Sequence, residues 1–182
     1  MKTIVKFTLV SLFLVFTAAL YTEADEKVGM PDYMKPYTGS AEFEQIKSLA
    51  GTWSGTGMMH GKEEQFAVTY ETSAGGSVVV EKSFPGTPME MVSIYSEKDG
   101  QVVMTHYCML KNQPELALMK SEDGKLKFDL TGGTNMDASK DMHMHSLVFT
   151  FKDADNMVQE WTPYEGGEAK EESTTLTLTR AQ

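Results

Sequence analysis

From Gly51 onward the chain alternates apolar and polar positions, and short clusters of turn residues interrupt the alternation. In "KLKFDL", 125–130, Leu126, Phe128 and Leu130 share one face, and Lys125, Lys127 and Asp129 share the other. In "TLTLTR", 175–180, Leu176, Leu178 and Arg180 fall on one side and three threonines on the other. The same period predicts strands over 51–59, 64–73, 76–84, 89–97, 101–109, 114–120, 125–131, 143–152, 157–162 and 173–180. Turn signals separate many of them: Gly75-Gly76, Asp99-Gly100, Asp123-Gly124, Asp153 to Asn156, and Gly166-Gly167. Ten strands joined mostly by tight connections predict an all-β, antiparallel up-and-down barrel, because closure removes both exposed edges. A two-sheet sandwich is the alternative. The one long connection, "GGTNMDASKDM" at 132–142, is expected at a barrel mouth.

Ahead of the strands the period changes. Ser40 is placed to cap a short helix, with Glu42 and Glu44 in its first turn and Phe43, Ile46 and Leu49 at near-helical spacing. Residues 25–39 hold two prolines, two glycines and no periodicity, which predicts a linker or a strap across the surface. Residues 1–24 read as a cleaved export signal: Lys2 and Lys6 precede an apolar run from Phe7 to Leu20, and small residues follow. That run is shorter than the ~20 residues a spanning helix needs. The expected product is a periplasmic or secreted single domain over 40–182.

Charge and cysteine content narrow the partners. The formal net charge is -10, which argues against nucleic acid or an anionic membrane surface after signal cleavage. Cys108 is the single cysteine, so no internal disulfide forms. The outward faces that parity assigns are polar, as expected for a monomer or weak dimer.

"LAGTWSGTG" at 49–57 and "TLTLTR" at 175–180 together resemble the calycin superfamily: lipocalins, fatty-acid-binding proteins and, closest in outline, ten-stranded nitrobindin-like barrels. The resemblance implies that Trp53 plugs the closed end and that Arg180, from the last strand, lies over its ring. "THYCMLKNQPEL" at 105–116 and "HMHSLVFTF" at 143–151 are similar to exported bacterial lipocalin-like proteins of unassigned function. Nitrobindin-like barrels hold haem through a histidine on the closing strand. The corresponding "ESTTLTLTR" has none, so haem is not expected.

Candidate site residues come from "DMHMHS" at 141–146 and from the strand "QVVMTHYCM". Parity places His143 and His145 with Leu147, Phe149 and Phe151, hence inside the barrel, unless a bulge at 142–144 inverts them. Val102, Met104, His106 and Cys108 form one face of their strand; Val103, Thr105, Tyr107 and Met109 form the other, and either face is apolar enough for burial. Gln159 and Trp161 share a face nearby.

Three readings of this set stay open. In the first, His106, Cys108, His143, His145, Gln159 and Trp161 orient a small hydrophobic molecule in a methionine-walled lumen. In the second, His143, His145 and His106 bind zinc or copper, with Cys108 or Asp141 as further ligands. Met136, Met142 and Met144 would add soft donors, although parity puts them on the opposite face from the histidines. In the third, Cys108 and His106 form a catalytic pair, which requires a depressed thiol pKa. The first reading is the expectation taken forward, with no cofactor.

Overall fold

The computed structural model describes residues 30–59 and 61–181, and the expected export signal lies outside them. Ser40 takes an extended conformation and its side chain accepts from Phe43 N, which starts helix α1 (Ala41–Lys47). Eleven strands follow: β1 (Gly51–Met59), β2 (Lys62–Ser73), β3 (Val78–Ser83), β4 (Met91–Lys98), β5 (Gln101–Tyr107), β6 (Gln113–Glu122), β7 (Lys125–Thr134), β8 (His143–Phe151), β9 (Asn156–Glu165), β10 (Glu168–Ala169) and β11 (Thr174–Arg180).

Each of β1 to β9 pairs antiparallel with the next in sequence; β11 pairs with both β9 and β1, so the sheet closes. The two-residue β10 is a displaced piece of the last strand. One edge of β9 is occupied by β8 from Met157 to Tyr164, so β10, opposite Glu165 and Tyr164, sits on the edge that β11 continues. Residues 170–173 bulge between the two pieces. The architecture is therefore a closed, ten-stranded antiparallel barrel preceded by one helix, and the sandwich alternative is excluded.

Several strand ends differ from the sequence reading, and two of them bear on the open end. Strand β7 continues through Gly132 and Gly133 to Thr134, paired with Glu115, Pro114 and Gln113, so the long connection is only 135–142. Strand β5 stops at Tyr107, which leaves Cys108 and Met109 in the turn that follows.

One end of the barrel is shut. Trp53 is fully buried, donates from Nε1 to Leu49 O at 2.8 Å, and carries the Arg180 guanidinium 4.4 Å above its ring. Arg180 also donates to the carbonyls of Ala50, Ser48 and Ala154 and to Asp155. Phe43, Ile46 and Leu49 pack into the same end. Close packing of β1 on β11 requires Gly55, where an added Cβ would lie 1.8 Å from Thr177 O. A strap ahead of α1 is tied down by Glu97, which accepts from the Tyr37 hydroxyl at 2.7 Å and from Ser40 N at 3.1 Å. Tyr95, Phe128 and Phe149 pack ring against ring, with centroids 6.0 to 6.2 Å apart, and fill the lumen at the plugged end.

Candidate functional site

The opposite end is open. A cavity of ≈ 700 Å³ is walled by Phe84, Met89, Met91, Met109, Leu110, Met144 and Pro163, with Cys108 and Met142 beside them. Its rim holds Glu165, Glu168, Glu171 and Glu172, together with Lys170, which pairs with Glu165 at 2.7 Å. Below lies a smaller cavity of ≈ 60 Å³, bordered by Phe66, Ser83, His106, Trp161 and Leu176. Phe84, Met91, Met144 and Thr174 belong to both walls, so they form the neck between the two. Phe84 sits at φ 55, a conformation unfavourable for a bulky residue, and its ring lies 4.9 Å from that of Phe66.

A belt of polar side chains crosses the interior at this depth. Tyr70 of β2 is the register partner of Glu81 on β3, Glu81 of Ser93 on β4, and Ser93 of His106 on β5. All four are buried. Glu81 accepts from Tyr95 OH at 2.6 Å, Ser83 Oγ at 3.2 Å and Gln159 Nε2 at 3.4 Å. Gln159 also donates to the Tyr70 hydroxyl and accepts from Trp161 Nε1 at 3.3 Å. Burial raises the Glu81 pKa above the ordinary carboxylate value, and the donated hydrogen bonds pull it only part of the way back.

His106 is the unusual member. It is 3% exposed, Nδ1 lies 2.9 Å from Ser93 Oγ, and the ring tilts against Trp161 at 4.9 Å between centroids. Its Nε2 is buried without any hydrogen-bond partner. Burial lowers its pKa to about 4, so the imidazole is neutral at ordinary pH. A buried, unsatisfied ring nitrogen beside a cavity is a costly feature in a folded core, and a ligand atom is one way to satisfy it.

The other two histidines are not in the lumen. Met144 pairs with Pro163 and Ser146 with Thr162, so His145 is one extra residue inserted into β8. The bulge reverses the facing of everything before it. Met142 and Met144 now line the mouth, while His143 and His145 lie with Tyr164 on the outer wall. His143 is nonetheless fully buried there. Its Nδ1 lies 2.8 Å from Asp141 O, a carbonyl that can only accept, so Nδ1 donates. Nε2 lies 3.1 Å from His145 Nδ1. The expectation of inward-facing histidines is corrected, and with it the three-histidine metal set: His106 is inside, His143 and His145 outside. Among the described residues no group of three or more His, Cys, Asp or Glu is placed to hold a metal ion.

The remaining candidates separate as well. Gln159 and Trp161 face inward beside His106, and Cys108 reaches the mouth. The Cys108 thiol is pushed up by burial, opposite to what a nucleophilic thiol needs. Sequence reading missed Glu81, Ser93, Tyr70 and Phe84. The period in "VVVEKS" does place Glu81 with Val79 and Ser83, but a glutamate on a half-apolar strand reads as an outward residue.

The fold is similar to the crystal structure of Rv2717c from M. tuberculosis, with a TM-score of 0.54 and 11% sequence identity, covering 80% of this chain and 100% of that one. At that identity the likeness shows the fold alone. No family model matches the chain, and no curated protein does.

Proposed function

We propose that this chain is an exported calycin-type barrel that binds a small hydrophobic molecule in its open end. The observation that carries the reading is the mouth itself. A cavity of ≈ 700 Å³ walled by methionines, Phe84, Leu110 and Pro163 stands above a buried imidazole nitrogen that has no partner. Apolar walls with few convergent polar groups are the ordinary composition of a small-molecule site. Methionine suits it further, because an unbranched thioether side chain repacks around different shapes. The acidic rim and net charge of -10 fit an uncharged cargo better than an anionic one. Export rests on the signal-like pattern of residues 1–24.

The test is titration of the purified chain with an apolar fluorescent probe, N-phenylnaphthylamine, while exciting tryptophan. Trp161 borders the inner cavity, so a bound probe quenches its emission by energy transfer and saturates at one probe per chain. An unchanged tryptophan signal across the titration, with no probe enhancement, overturns the reading.

A further inference from the structure

Resting on that reading, we propose that His106 Nε2 anchors the head of the bound molecule, and that the site selects a neutral amphiphile: an apolar body carrying one uncharged hydrogen-bonding oxygen. Three features of the inner cavity support this.

The first is the fixed direction of the free nitrogen. Ser93 holds Nδ1 at 2.9 Å and Trp161 flanks the ring, so Nε2 cannot turn away to find a partner. Where Ser93 donates to Nδ1, the ring proton sits on Nε2, which donates; where Ser93 accepts from Nδ1, Nε2 accepts. A hydroxyl on the ligand matches either state, since it both donates and accepts.

The second is size. The inner cavity of ≈ 60 Å³ has room for roughly two waters' share of volume, enough for a small head and too little for a chain. The apolar body must therefore extend upward through the neck of Phe84, Met91 and Met144 into the mouth.

The third is charge. An anionic head would pass the rim carboxylates and then meet an imidazole that, at a pKa of about 4, offers no positive charge. A cationic head gains from the rim but must shed its water shell below the neck, where the Glu81 oxygens are already occupied by Tyr95, Ser83 and Gln159. A neutral head loses little hydration and completes the orphaned bond.

The experiment displaces N-phenylnaphthylamine with decanol, decanoate and decylammonium, whose chains are the same length. Wild type is compared with His106→Leu, His106→Gln and Ser93→Ala. Decanol is expected to compete about tenfold better than either charged homologue in wild type, the worth of one good hydrogen bond. His106→Leu loses that advantage, read as the ratio of decanol to charged-homologue competition within each variant, so that any change in the probe's own affinity cancels. His106→Gln retains part of it, and Ser93→Ala loses part because the ring is no longer held. These two variants also decide the matter if the leucine variant does not fold. Equal decanol affinity in wild type and in folded His106 variants, with the probe still bound, overturns the inference and leaves the pocket standing. Preference for decanoate or decylammonium overturns it as well. Failure of the probe to bind wild type defeats the pocket reading, and this inference falls with it.

Discussion

Ser93 Oγ and His106 Nδ1 lie 2.9 Å apart in the interior, on register-paired positions of β4 and β5. The pairing fixes one face of an imidazole that has no neighbouring charge to stabilise its protonated form. Its folded pKa is lowered from 6.5 to about 4 by burial alone. The unfolded chain then binds more protons between those values, so stability rises with pH across that window. The contribution is present above pH 6.5 and is lost as pH falls through about 4, with a total on the order of 3 kcal/mol. Urea unfolding at stepped pH checks this: His106→Leu is expected to flatten the acid limb.

Glu81 contributes with the opposite sign. Its folded pKa is raised above 4.5 by burial, so its contribution is present below that value and is lost as pH rises through the raised one. Glu81→Gln is expected to remove this fall, making the variant's stability flatter than wild type on the alkaline side of pH 4.5. A steeper fall in the variant would show that Glu81 is stabilised as the anion.

Arg180 holds the closed end through bonds that lysine cannot reproduce. Its guanidinium covers Trp53 and donates to three backbone carbonyls at 2.8 to 3.2 Å. Arg180→Ala is expected to cost about 2–4 kcal/mol, and Arg180→Lys a large part of that, because a planar fork is replaced by a point charge. Denaturant midpoints with an unchanged m-value check both. A lysine variant as stable as wild type would reduce the cap to simple charge.

On the outer wall, His145 stacks on Tyr164 at 3.7 Å and 15° and hydrogen-bonds His143. His145→Ala is expected to cost about 1 kcal/mol of stability and to leave probe affinity unchanged, since the ring borders neither cavity. Any strong loss of binding would place the imidazole inside after all.

Much of the barrel was legible because period-two alternation survives wherever one face is buried. Leu126, Phe128, Leu176 and Leu178 are inside as their parity requires. The same rule misplaced His143 and His145, since one inserted residue flips every side chain beyond it. Nothing local marks that insertion: "HMHS" has no glycine, proline or turn signal. Glu81 was hidden for another reason. Its partners Tyr95, Ser83 and Gln159 come from β4, β3 and β9, so only the closed sheet shows that a buried carboxylate is satisfied. The methionine mouth was equally obscure, because the period runs on through Met89 and Met109, yet both lie with Met142 in connections rather than in strands.

The most direct test of a ligand site at the open end compares N-phenylnaphthylamine binding by Met144→Glu and Met119→Glu. Met144 stands in the neck, whereas Met119 is 51% exposed and borders neither cavity. A glutamate in the neck must lose water among apolar walls, so Met144→Glu is expected to weaken the probe by more than about tenfold, and Met119→Glu to leave it unchanged. Equal affinity in the two variants would contradict binding at the mouth.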